Sequence, residues 1–220
     1  MDCKAVIFDL DGTLVDSLHD LWLSTNHALS RCGLPVRTRD EVCTFVGNGV
    51  GMLIHRAVPD GTDASLEARC LEYFRAHYVE HCRDHTRLYE GVAAMLDSLR
   101  AHGIRTAIVS NKLQAGVDAI FHWLFEGRVD VAVGERENVR RKPSPDMLLE
   151  AMRQLRVGPD EVVYVGDSEV DIQTARAAGV PCFSVLWGFR SKAFLLAHGA
   201  TTLLSHPQEV CSLLFSPATP

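Results

Sequence analysis

The stretch Ala5-Val6-Ile7-Phe8-Asp9-Leu10-Asp11-Gly12-Thr13 decides how this chain is read. The short apolar run from Ala5 to Asp9 predicts a β-strand, and it ends in two carboxylates, Asp9 and Asp11, at i and i+2. In an extended chain those side chains point the same way. Carboxylates held that close at the C-terminal edge of a parallel sheet repel one another unless a cation or a shared proton separates them. Gly12 lets the backbone turn sharply, and the amides exposed by such a turn can face an anion. An ordinary Asp-rich turn has the same composition, so the reading rests on what the rest of the chain places beside it.

Two more runs have this form. Ile104 to Ser110 and Val162 to Asp167 are rich in β-branched residues, end in a polar residue and lead into helix-like patterns, the alternation expected of βαβ units in a parallel sheet. Val129 to Val133 and Cys182 to Leu186 are further candidate strands. Between them lie amphipathic stretches such as Ser144 to Leu155, with apolar Met147, Leu148, Ala151, Met152 and Leu155. The pattern predicts an α/β fold, a Rossmann-like doubly wound parallel sheet of five strands. From Asp16 to about Asp84 the period changes to that of helices, with Leu18, Leu21, Trp22, Thr25 and Leu29, then Leu66, Cys70, Phe74 and Tyr78. The expected organisation is therefore a core domain of residues 1–15 and 85–220 with a helical domain, 16–84, inserted after the first strand. Gly33-Leu34-Pro35 and Pro59-Asp60-Gly61 divide the insert, and Ser216 to Pro220 reads as a frayed tail.

Composition narrows the classes of function. With 47% hydrophobic and 23% charged residues in 220, the chain has the make-up of a soluble globular protein rather than a disordered one. Lys and Arg number 22 against 28 Asp and Glu, a net charge of -6, which argues against a broad nucleic-acid surface or a polybasic membrane patch. The longest apolar stretch, near Val180 to Phe189, is broken by Pro181, Ser184 and Gly188, and neither a membrane span nor a secretory signal is read. Seven scattered cysteines without a CxxC pair suggest reduced thiols and a cytoplasmic location.

The other predicted strand ends carry matching chemistry. Ser110-Asn111 offers small hydrogen-bond donors to a phosphate oxygen, although such residues also cap helices. Lys142, in a loop stiffened by Pro143 and Pro145, supplies one fixed positive charge. Gly166-Asp167-Ser168 sets Asp167 at a strand tip, with Asp171 in the first turn of the following helix. Carboxylates, small donors and a lysine gathered at the C-terminal ends of parallel strands fit phosphoryl transfer, which needs charge neutralisation, an in-line nucleophile and a proton donor.

Asp9-Leu10-Asp11-Gly12-Thr13, Ser110-Asn111-Lys112, Lys142-Pro143 and Gly166-Asp167-Ser168-Glu169-Val170-Asp171 resemble, in order and spacing, the four motifs of the haloacid dehalogenase superfamily. Val46-Gly47-Asn48-Gly49-Val50 is similar to the cap of its phosphoglycolate phosphatase-like members. The resemblance implies that Asp9 attacks phosphorus to give an aspartyl-phosphate, while Asp11 protonates the leaving alcohol and later deprotonates water. It places Mg2+ on Asp9, the Asp11 backbone carbonyl and Asp167, with Asp171 close by. Thr13, Ser110 and Asn111 would hold the phosphate, Lys142 would balance its charge, and the inserted domain, as a cap, would read the substrate through the glycine-rich Gly47 to Gly51 loop, Gly47 and Asn48 above all. The implied partner is a small phosphorylated metabolite, best guessed as 2-phosphoglycolate, with no nucleic acid and no membrane, and the protein a monomer or homodimer. A β-phosphoglucomutase-like mutase and a pyrophosphatase share the motifs. Phosphonoacetaldehyde hydrolysis needs a cap lysine, and residues 16–84 contain none. A non-catalytic binding module has no use for a buried charge cluster.

Three features stand outside this scheme. His77, His81 and His85 recur at i, i+4 and i+8, a spacing that can ligate a metal and that is read here as a solvated face. Trp187-Gly188-Phe189-Arg190 is read as a loop packing an aromatic on the core, with Arg190 a conceivable substrate contact. Arg136 to Arg141 is locally basic and is read as a solvated loop.

Overall fold

A computed structural model describes residues 3–215, and the predicted tail at Ser216–Pro220 lies outside them. The chain forms two compact units, one of the residues up to Leu14 and from Leu88 onward, the other Val15–Arg87.

The strands are β1 (Ala5–Phe8), β2 (Val15–Asp16), β3 (Arg87–Leu88), β4 (Arg105–Leu113), β5 (Val131–Glu135), β6 (Val162–Gly166), β7 (Cys182–Val185) and β8 (Thr202–Leu204). Six of them form one sheet in the order β5-β4-β1-β6-β7-β8, and every pairing in it is parallel. All four residues of β1 are fully buried, as expected of a central parallel strand covered on both faces. Phe8 pairs with Ile108 on one side and Val165 on the other, so β6 ends one residue beyond β1 while β4 runs on to Leu113. The strand order reverses beside β1, which makes the β1–β6 edge the switch point where open α/β sheets bind ligands.

In the Val15–Arg87 unit, α1 (Leu18–Arg31), α2 (Arg39–Phe45), α3 (Gly49–Ala57) and α4 (Ala64–His81) follow in order. Leu21, Ala28 and Leu29 of α1 and Cys70, Phe74 and Tyr78 of α4 are buried, the stripe that the helical spacing predicts. In the sheet unit come α5 (Val92–Ala101), α6 (Gln114–Ile120), a π-turn at Phe121–Phe125, α7 (Asp146–Leu155), α8 (Glu169–Ala178), α9 (Lys192–Ala197) and α10 (Gln208–Phe215). The apolar face of α7 (Met147, Leu148, Ala151, Met152, Leu155) packs with Ile7, Val109, Val133 and Tyr164 in one core.

The doubly wound α/β core is as predicted, with four differences of detail. β5 starts at Val131 rather than Val129, because Asp130 spends its amide on Thr106 O and its carboxylate on Thr106 N before the ladder begins. β8 is a sixth strand in the sheet, only three residues long and too short to show a period. α3 begins at Gly49, so the glycine-rich loop is confined to Gly47-Asn48, and Gly51 lies within the helix. α4 ends at His81, so His85 leaves the helix face, and both its backbone N–H and Nδ1 meet Asp20 Oδ1, at 3.0 and 2.9 Å.

Candidate active site

β1 delivers Asp9 to the end of the sheet, its N–H donating to Val165 O of β6 at 2.8 Å. Behind it Gly12 has φ +89°, and a Cβ there would overlap the Asp167 carboxylate, so the turn requires glycine for both conformation and space. β6 delivers Asp167, and Ser168 caps α8 so that Asp171 falls in its first turn. Asp9, Asp167 and Asp171 each present a carboxylate oxygen within 4.8 Å of the others, and all three are buried.

Lys142 stands among them. Its Nζ lies 2.8 Å from Asp9 Oδ1 and 2.8 Å from Asp171 Oδ1, and it donates to Tyr164 OH at 3.0 Å. Its backbone is clasped by Asn111, whose Oδ1 accepts from Lys142 N at 2.8 Å and whose Nδ2 donates to Lys142 O at 3.0 Å. Both Asp171 oxygens are engaged: Tyr164 OH reaches Oδ1 at 3.1 Å, and Ser168 N and Oγ donate to Oδ2 at 3.1 and 2.6 Å. Asp171 thus holds Lys142 from behind, while Asp9 and Asp167 keep free oxygen lone pairs toward the site.

The electrostatics follow from burial of like charges. Burial, with Asp171 and Asp11 nearby, raises Asp9 to about 7 even though Lys142 pulls it down. Burial and then Asp171 and Asp9 push Asp167 well above the usual carboxylate range, opposed by the Phe189 N–H and Arg190. For Lys142 burial disfavours the ammonium, yet Asp171 and Asp9 outweigh it and hold the group well above the ordinary lysine value. With all of its groups ionised, three carboxylates against one ammonium leave this cluster a formal charge of −2, which is what raises Asp9 and Asp167. A divalent cation on hard oxygen ligands balances that charge.

Two site residues are assigned no role from the sequence, Lys112, quoted only as the end of Ser110-Asn111-Lys112, and Tyr164. Lys112 Nζ spans both Asp11 oxygens, at 3.1 and 3.2 Å, with its side chain 5% exposed. It directly follows Ser110-Asn111, and its place one step beyond those donors was the available signal. Tyr164 is the one polar-tipped residue in the strand Val-Val-Tyr-Val-Gly. Of the predicted residues, Asp9, Asp11, Thr13, Ser110, Asn111, Lys142, Asp167 and Asp171 belong to the sheet unit. Ser110 Oγ accepts from Lys112 N at 3.2 Å, and Thr13 Oγ1 is buried without a hydrogen-bond partner. Gly47 and Asn48 lie in the helical unit, where Asn48 Oδ1 accepts from Arg56 Nη2 at 2.8 Å.

The loop after β7 supports Asp167. Phe189 N–H donates to Asp167 Oδ2 at 2.7 Å and Trp187 Nε1 donates to Thr13 O at 3.0 Å. A Cβ on Gly188 would overlap both Asp167 and Gly12 O. Arg190 pairs with Glu169 at 3.3 Å. The arginines of 136–141 are matched one by one, Arg136 with Glu150, Arg140 with Asp146 and Arg141 with Glu135, so little net field reaches Lys142 from them.

A buried acid cluster at the switch point of a doubly wound sheet defines the class as an α/β protein with an aspartate-based, cation-seeking site. The family described as haloacid dehalogenase-like hydrolase matches residues 6–185. A phosphoglycolate phosphatase of Chromobacterium violaceum is 36% identical over 216 residues, 96% of each chain, and that of Escherichia coli K12 is 33% identical over 95% of this chain and 88% of its own. A solved structure from Lactobacillus delbrueckii subsp. bulgaricus, proposed in its name to be a phosphoglycolate phosphatase, has a TM-score of 0.93 at 34% identity, over 99% of this chain and 100% of that one. This chain belongs to the haloacid dehalogenase-like hydrolase family.

Proposed function

We propose that this chain is a Mg2+-dependent phosphatase of a small phosphate monoester, acting in the cytoplasm, with 2-phosphoglycolate as the preferred substrate. The observation that carries the reading is the Asp9–Lys142–Asp171 arrangement beside Asp167, a buried nucleophile-and-cation pair whose residual charge calls for a dication. The substrate comes from the relatives named phosphoglycolate phosphatase.

Mg2+ fits the oxygen-rich, doubly negative cluster, where Asp9, Asp167 and the Asp11 carbonyl would hold it with Asp171 behind. When bound it supplies charge neutralisation for nucleophile and phosphate together. The chain's own residues do the rest. An Asp9 oxygen forms a bond to phosphorus as the ester oxygen leaves, and Asp11 gives that oxygen its proton. Asp11, now a carboxylate, takes a proton from water, which opens the aspartyl-phosphate and regenerates Asp9. Lys112 holds the Asp11 side chain in place, and Lys142 meets the transferring phosphoryl charge together with Ser110 and Asn111. Thr13 Oγ1, buried and without a partner, is an available donor for a phosphate oxygen. Selection of the leaving group is assigned to Gly47 and Asn48 of the helical unit, acting as a cap.

The test is phosphate release, with and without Mg2+, from 2-phosphoglycolate, pyrophosphate, β-glucose 1-phosphate and phenyl phosphate, beside Asp9→Asn. Mg2+-dependent turnover abolished by Asp9→Asn, and fastest on 2-phosphoglycolate, is expected. Fastest turnover of another ester overturns the substrate, and no release from any of them overturns the hydrolase reading.

A further inference from the structure

The helical unit carries a second cluster of titratable groups that the active site does not use. His77 and His81 lie one turn apart on α4, and His27 faces them from α1. The rings form a stack with His77 in the middle, centroids 4.1 Å from His27 and 4.2 Å from His81. They border a groove of about 590 Å3 also lined by Asp20, Arg31 and Asp84.

We propose that this α1–α4 face binds one divalent transition-metal ion of the zinc class, ligated by His77 and His81 with His27 as third ligand. His77 Nδ1 meets Ser24 Oγ at 3.0 Å, and His81 Nδ1 meets Asp84 Oδ2 at 2.8 Å. Both rings are therefore anchored through Nδ1 with Nε2 left for a ligand, the way metal-binding histidines are held by outer partners. The His27 side chain makes no hydrogen bond among the described residues and contributes its stacked ring.

The surrounding charges agree. Asp84 stays on His81, Asp20 is committed to His85 and Thr86, and Arg31 lies over the Tyr73 ring at 4.9 Å. Glu80 adds negative charge near His77. Nitrogen donors favour Zn2+, Ni2+ or Cu2+ over Mg2+, so the site discriminates against the hard cation that suits the aspartate cluster. Among the described residues only the aspartate cluster has three ligand atoms already converged, so binding requires the rings to turn out of their stack, His77 and His81 about their Nδ1 anchors, to meet on the ion.

Co2+ titration of the untagged full chain in excess Mg2+, read by visible absorption, with Zn2+ calorimetry beside it, tests the site. One metal per chain is expected in the parent and in Asp167→Asn, and none in His81→Gln, whose side chain is 44% exposed and whose fold is checked by circular dichroism. Affinity falls at least about tenfold in Asp84→Asn and further in His27→Gln. Binding that survives His81→Gln or is unchanged in His27→Gln overturns the proposal, as does binding abolished by Asp167→Asn.

Discussion

Replacing Lys142 with Met keeps most of the side-chain volume and removes the one ammonium among Asp9, Asp171 and Asp167. The lysine is 3% exposed and lies 2.8 Å from each of two carboxylates. At an effective dielectric of about 20, each contact is worth about 6 kcal/mol of Coulomb attraction before desolvation is counted. Breaking a buried pair by removing one partner costs about 3–5 kcal/mol net, and Met leaves two carboxylates uncompensated, so a loss near the top of that range is expected in Mg2+-free buffer. The variant relieves part of the loss by binding a proton. In the parent, Asp9 titrates near 7 against an unfolded value of about 3.9. A carboxylate with a raised folded pKa contributes stability fully present below the unfolded value and lost as pH rises through the folded one. Through Asp9 the parent therefore loses stability up to about pH 7, with a further loss through the raised Asp167, whereas the variant, with its carboxylates raised further, loses about 1.4 kcal/mol per pH unit more steeply above that. Urea unfolding in EDTA at several pH values measures both quantities, and Mg2+ restores part of the stability. Equal stability and equal pH dependence in parent and variant would refute the reasoning. Turnover falls about 10²–10³-fold, and Arg, a planar fork in a site shaped for a compact ammonium, does not restore it.

Four other outcomes follow. Gly188→Ala forces a methyl into Asp167 and Gly12 O and costs about 1–3 kcal/mol, with weaker Mg2+ activation of phosphate release; an unchanged Mg2+ titration counts against the support assigned to that loop. Asp20→Ala strands the donors His85 N and Thr86 N and Oγ1, at a cost of about 2–4 kcal/mol in thermal unfolding. Burial opposes the Asp20 charge, but hydrogen bonds from Thr86 and His85 outweigh it and lower the pKa. Its stabilisation is thus complete above about pH 4 and is lost as pH falls through the lower folded value, a dependence that Asp20→Ala abolishes. Lys112→Met releases the Asp11 side chain and lowers kcat more than it raises KM, whereas a KM effect alone argues that the lysine only binds substrate. Arg140→Gln removes an exposed ion pair with Asp146 and leaves the melting temperature where it was.

The central strands and the acid pair were legible in the sequence because their physics is local. A buried parallel strand is an unbroken apolar run, and Asp9 and Asp11 interrupt it where the sheet ends. The same holds for Asp167 and for α7, whose five apolar residues keep helical spacing. β8 was not legible, since three residues carry no period and its strand character comes from pairing with β7. The histidine spacing misled at His85, because α4 stops at His81 and only the fold brings His85 to Asp20.

What the sequence by itself determined is the alternation of strand and helix, the inserted helical stretch and the residue types gathered at strand ends, all of which follow from patterns within a few residues. Only the tertiary structure decided the partners. Lys142 is an ordinary lysine in sequence; the parallel register of β1 and β6 brings Asp9 and Asp171 together, and the Asn111 clasp on the loop after β5 sets Lys142 between them, 133 and 29 positions away. Lys112 reaches Asp11 across 101 residues because β4 pairs in parallel with β1 on its other side. His27 meets His77 because two helices pack side by side. Charge pairing and ring stacking depend on distance through space, which a linear pattern does not encode and close packing of the sheet and helices does.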